Sequence, residues 1–96
     1  MPENMVEVRN VNHPEYRGSV NAAKYDAMKT AMLKALSGSD GLTQSEIVMA
    51  VKPHLPEDLF PGGKTAGWWA KTVQLDLEAR GEMGRHKTKP LRFFAK

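Results

Sequence analysis

Apolar residues recur at two spacings along this chain, and the changes between them mark out its elements. Met5-Val6-Glu7-Val8-Arg9-Asn10-Val11 alternates apolar and polar positions after Met5, which predicts a strand or extended arm. Asn12-His13-Pro14-Glu15 interrupts it, because proline fixes its own φ and turns His13 away from the helical region; a loop towards Gly18 follows. From Asn21 the period lengthens. Tyr25, Met28, Met32, Leu33 and Leu36 form one helical stripe, with Asn21 as N-cap, Val20 and Tyr25 as a hydrophobic staple and Gly38 as the stop. Thr43-Gln44-Ser45-Glu46 fits a capping box and opens a second helix that buries Ile47, Ala50, Val51 and Leu55, its last turn kinked at Pro53. The stretch from Pro56 to Gly63 is too rich in proline and glycine to continue it. Pro61-Gly62 suits the centre of a type II turn, and Leu59 and Phe60 anchor the loop in the core.

A third helix is expected from Ala66 to Arg80, with Thr65 as N-cap and Gly81 as stop. At about 100° per residue, Ala66, Trp69, Ala70, Val73 and Leu77 share one arc, while Trp68, Leu75 and Ala79 share a second, nearly opposite. Lys71, Gln74 and Glu78 form the polar arc. Two apolar arcs call for cover on both sides, and the N-terminal arm or a partner subunit is expected to supply the second. Glu82–His86 and Leu91–Ala95 then read as a β-hairpin around a basic tip, Lys87-Thr88-Lys89-Pro90, with Met83, Leu91 and Phe93 facing inward.

Composition narrows the function classes. The chain has 96 residues and no cysteine, which points to one domain, an N-terminal arm over 1–20 and a globular part over 21–96, and excludes disulfide scaffolds and thiolate zinc sites. No apolar stretch approaches the roughly 18 residues of a membrane span, and Met1-Pro2-Glu3-Asn4 lacks signal-peptide character, so a cytoplasmic location without a membrane partner is expected. The net charge of +3 is unevenly placed: residues 60–96 carry eight bases against three acids. Such an asymmetry suits a phosphate-facing surface, although a merely solvated face produces it too.

The order helix, short extended pair, capped helix, turn, helix, glycine, basic hairpin resembles the winged helix-turn-helix fold. Its most telling residues are Gly41-Leu42-Thr43-Gln44-Ser45-Glu46-Ile47 and Leu75-Asp76-Leu77-Glu78-Ala79-Arg80-Gly81-Glu82-Met83. The resemblance implies an α+β domain of three helices with a C-terminal wing, the third helix facing the major groove and the wing lying along the phosphate backbone. The chain is also similar, through His54-Leu55-Pro56-Glu57-Asp58-Leu59-Phe60-Pro61-Gly62-Gly63 and Gly67-Trp68-Trp69-Ala70-Lys71-Thr72-Val73-Gln74-Leu75, to a small uncharacterised bacterial family, which implies an orphan winged-helix domain and carries over no site residues.

In this reading Lys64 and Thr65 at the start of helix 3 meet phosphate, Lys71 and Gln74 read the groove, and Arg85, Lys87, Lys89 and Arg92 are wing contacts. Two features count against base readout: Asp76 and Glu78 would repel phosphate if exposed, and the loop before helix 3 is longer than a tight turn. The expected function is therefore DNA binding in a regulatory or accessory role. The alternative is a dimerisation or partner-docking module using Trp68, Leu75 and Ala79.

An enzyme is not expected, nor a cofactor or metal. His13, His54 and His86 sit in no ligand motif, and Gly62-Gly63-Lys64-Thr65 lacks the leading glycine of a phosphate-binding P-loop. The carboxylates Glu57, Asp58, Asp76 and Glu78 have no accompanying nucleophile and read as solvated surface.

Overall fold

The computed structural model describes residues 4–13 and 15–96. The turn expected around His13 is closed by Asn10 and His13 carbonyls accepting from the His13 and Tyr16 amides; Pro14 itself and residues 1–3 lie outside the described residues. The expected arm is half of a hairpin. Strand β1 (Met5–Val8) pairs antiparallel with β2 (Gly18–Asn21), Met5 opposite Asn21 and Val8 opposite Gly18. Gly18-Ser19-Val20-Asn21 has no alternating apolar pattern of its own, so its partner specifies the strand.

Helix α1 (Ala22–Leu36) follows directly, and Asn21 caps it by accepting the Lys24 amide at 3.0 Å. Tyr25, Met28, Ala31, Met32 and Leu36 are buried, while Leu33, expected in the stripe, is only half-buried. Helix α2 (Gln44–Val51) begins with the expected capping box, since Thr43 and Glu46 each accept the other's backbone amide. Ile47 and Val51 are its buried residues, with Ala50 at the margin. Its last turn tightens into a 3₁₀ turn at Lys52–His54 around Pro53. In the next loop the Gly63 amide donates to the Phe60 carbonyl, and Gly62 has φ 63°, the left-handed conformation that the third position of a type II turn requires.

Helix α3 (Ala66–Ala79) is the centre of the core. Trp69 meets Phe60 edge-on at 6.2 Å, and Ala70, Val73 and Leu77 pack with residues of α1 and α2. Its C-terminus closes in a Schellman arrangement: Gly81 has φ 78°, its amide reaches the Glu78 carbonyl, and the Glu82 amide reaches Leu77. Strands β3 (Met83–His86) and β4 (Arg92–Ala95) form the C-terminal hairpin, whose Lys89-Pro90 peptide is cis. Leu42 pairs with Phe93 through two reciprocal backbone bonds, so the short segment between α1 and α2 lies along this hairpin as a third extended piece.

The described residues thus form an α+β domain of three helices and two small antiparallel hairpins. Met83 and Phe93 face the core as expected, but Leu91 does not. It precedes β4 and is 38% exposed.

Candidate nucleic-acid interface

Helix α3 carries two of the eight expected contacts, Lys71 and Gln74, and burial separates them. Lys71 is exposed, whereas Gln74 is 1% exposed, so its amide cannot reach a base edge. Gln74 Nε2 instead donates to Glu78 Oε1 at 3.2 Å, and its own oxygen has no protein partner. On the helical wheel Gln74 lies about 40° beyond Ala70, the near edge of the buried arc.

The wing divides in the same way. Arg85 lies opposite Phe93 in the hairpin register, on the face that Met83 turns to the core. Its guanidinium makes a two-pronged bond to Glu78 at 2.6 and 2.8 Å and sits 5.4 Å above the Phe93 ring. The bond to Glu78 raises the Arg85 pKa above its ordinary value. Arg85 therefore fastens the wing to α3, a role its alternation with Met83 encodes. Arg92, on the other face, approaches Glu46 at 3.3 Å in a half-exposed pair. Lys87 and Lys89 at the tip are exposed and belong to no ion pair among the described residues.

Thr65 occupies the N-cap position of α3 without acting as a cap. Its φ is 62°, a left-handed conformation unfavourable for a β-branched residue, and its hydroxyl donates to the Lys64 carbonyl. The first turn of α3 thus has no side-chain cap, and Lys64 beside it is exposed.

The second apolar arc of α3 proves to be its solvent side. Trp68 is 58% exposed and touches Trp69 edge-to-face at 5.1 Å, whereas Leu75 and Ala79 are half-buried. Ala79 and Glu78 line a groove with Arg9, Asn10, Val11 and Arg17, so the N-terminal segment covers the C-terminal end of this face. The Trp68 end stays open.

Two carboxylates read from sequence as solvated surface are structural. Asp76 is fully buried and accepts from the Arg9 amide at 2.8 Å, from the Tyr25 hydroxyl and from Arg80 Nε at 2.9 Å. Arg80 also donates to the Glu7 carbonyl at 2.9 Å, so one ion pair ties α3 to α1 and to the N-terminal hairpin. Burial, reinforced by Asp76 as acceptor and as neighbouring negative charge, pushes the Tyr25 phenol above its ordinary value; the bond to Asp76 does the same for Arg80. The available signal was angular: Asp76 falls about 20° outside Trp69, the edge of the buried arc, and Arg80 about 20° inside it. Glu78 is 4% exposed through its side chain and paired with Arg85.

Every acidic side chain of residues 60–96 is consequently neutralised, Asp76 by Arg80, Glu78 by Arg85 and Glu82 by Lys29. Lys64, Lys71, Lys87, Lys89 and Lys96 remain exposed and without an ion pair among the described residues. Lys71 also borders a groove of about 250 Å³ between the start of α2 and the wing, lined by Thr43, Gln44, Ser45, Pro90, Leu91 and Phe93. Gln44 Oε1 itself is buried and has no protein donor. His86, considered for metal binding, faces the Asp40 carbonyl at 2.8 Å and stacks on Phe94. Among the described residues no cluster of three or more His, Cys, Asp or Glu side chains is arranged to hold a metal, and no helix is long and apolar enough to cross a membrane.

No curated protein and no solved structure matches the chain. A family model does, over residues 5–93, and the α+β domain described above accordingly belongs to DUF6958, a family of unknown function.

Proposed function

We propose that this chain is a winged-helix-like domain that binds DNA in a regulatory or accessory capacity, through phosphate contacts from Lys64 and Thr65 at the start of α3, Lys71 on its open face, and Lys87 and Lys89 on the wing. The observation that carries this reading is the charge sorting of residues 60–96: each carboxylate is held in an ion pair, and the lysines are left to solvent. The repulsion that Asp76 and Glu78 would exert from the surface is removed by their burial and pairing. The Leu42–Phe93 pairing supports the winged-helix comparison, because it joins the segment between the first two helices to the wing. Arg85 and Gln74 leave the contact set, the first committed to Glu78 and the second buried, and Arg92 contributes only where it exchanges Glu46 for phosphate.

Each phosphate neutralised adds about 0.9 to the slope of log affinity against log salt. Fluorescence anisotropy with labelled random duplex DNA at about 50 and about 200 mM salt tests the reading. Binding should weaken steeply over that range, and the paired substitution Lys87→Gln and Lys89→Gln should flatten the slope by roughly 2. Absent or salt-insensitive binding at the lower salt would exclude it.

A second reading, a protein partner or second copy seated on α3, rests on the 58% exposure of Trp68. It requires Trp68→Lys to lower the oligomeric mass in solution while the domain stays folded.

A further inference from the structure

The solvent side of α3 is poorly equipped to read a duplex by its base edges. Direct readout uses side chains such as Arg, Asn and Gln that bond bidentately to base edges in the major groove. Of the exposed or half-exposed positions, Gly67, Trp68, Lys71, Thr72, Leu75 and Ala79 offer no such side chain and Glu78 is held by Arg85, while the one amide on the helix, Gln74, is buried. At the centre of this side stands an indole 58% exposed, braced edge-on against the buried Trp69. An indole gains little from the outside of a stacked duplex. Against an unpaired base it offers a π-face that needs no edge recognition, and this is how single strands are held without sequence preference.

The charges around the indole suit the same ligand. Lys71 follows Trp68 by three residues, so the two side chains are neighbours on the helix surface, and exposed Lys64 precedes the helix on the other side of Trp68 in sequence. Asp76 is buried and Glu78 is sequestered, so no free carboxylate of α3 opposes a phosphate there. Beyond Lys71 the surface continues into the groove of about 250 Å³ floored by Leu91 and Phe93.

We propose that this face binds unpaired nucleobases, with Trp68 as the stacking surface and Lys64 and Lys71 holding the flanking phosphates, the groove beyond Lys71 leaving room for a neighbouring base, so that the domain prefers single-stranded nucleic acid to duplex. This rests on the nucleic-acid reading above and names the form of ligand it takes.

The test is a parallel anisotropy titration of the full chain with a labelled mixed-sequence single strand and a duplex of equal length, at matched salt. The single strand should bind roughly tenfold tighter or better, and should quench tryptophan fluorescence. Trp68→Ala should weaken single-strand binding by about 5- to 150-fold, the loss of one stacked base, while duplex binding changes less than about twofold. Trp68→Tyr preserves an aromatic face and should retain most of the affinity, which guards against misreading a folding defect in the alanine variant. Equal affinity for both forms, or a Trp68→Ala loss shared equally between them, would overturn the stacking proposal and leave the phosphate-contact reading standing. Binding to neither form would overturn both.

Discussion

The two hairpins are each fastened to α3 through a sequestered carboxylate paired with an arginine, but they differ in the charges they leave to solvent. The N-terminal hairpin is held by a buried, fully partnered carboxylate: Asp76 accepts from Arg9, Tyr25 and Arg80, and Arg80 reaches back to the Glu7 carbonyl. The C-terminal wing is held by core packing of Met83 and Phe93 and by the Arg85–Glu78 fork, and it leaves Lys87 and Lys89 unpaired at its tip. At the N-terminal hairpin charges satisfy each other inside the protein; at the wing tip they are free for an outside partner. Composition already separates the two, with two bases and two acids over residues 5–21 against four bases and no acid over 83–95, and pairing then decides which of those charges a partner can use.

Breaking the saturated end should have the largest effect. Asp76→Ala leaves Tyr25, the Arg9 amide and Arg80 without their acceptor, and should cost about 3 to 5 kcal/mol in urea unfolding, a large share of the roughly 5 to 15 kcal/mol typical of a domain. A loss below about 1 kcal/mol would mean that the carboxylate is not the fastening point. Tyr25→Phe removes one bond to the same group and should cost about 1.5 to 3 kcal/mol near neutral pH. Its pH dependence sharpens the assignment. The folded phenol has a raised pKa, so its contribution is complete below the ordinary value of 10.0 and is lost as pH rises beyond it. The wild type should therefore lose this part of its stability in the alkaline range, and Tyr25→Phe should lack that component.

At the open end the expected effects on stability are smaller. Thr65→Gly relieves a left-handed β-branched residue but loosens the unfolded chain, and should raise stability by about 0.5 to 1 kcal/mol. A decrease would show that the threonine side chain makes a necessary contact. Lys87→Gln with Lys89→Gln should leave the unfolding free energy in urea nearly unchanged, within about 0.5 kcal/mol, as expected for solvated side chains. A larger destabilisation would make the wing tip structural and erase the contrast between the two hairpins.

Much of the secondary structure was legible because its signals are local. Asn21 and the Thr43/Glu46 box cap their helices, Gly81 closes α3, and Met83 and Phe93 anchor the wing. The candidate site was legible in part. Lys64, Lys71, Lys87 and Lys89 stand exposed as read, but Gln74, Arg85, Asp76 and Glu78 were misplaced for one reason. A polar residue on an element that other elements pack against has two destinations, solvent or a buried partner, and its own sequence neighbours do not choose between them. Arg85 came closest to being readable, since two-residue alternation puts it on the same face as Met83. Strand β2 was missed because its extended form depends on pairing with β1 across the intervening loop.

Periodicity, caps and glycine stops determined by themselves where the helices and the wing form, since each acts within a few residues of backbone and its energy is nearly independent of the rest of the fold. Tertiary structure alone decided which charges are spent. The pairings of Asp76 with Tyr25, Glu78 with Arg85 and Glu82 with Lys29 join residues 51, 7 and 53 positions apart. A carboxylate becomes buried and partnered only when packing has excluded water around it and brought a donor within reach.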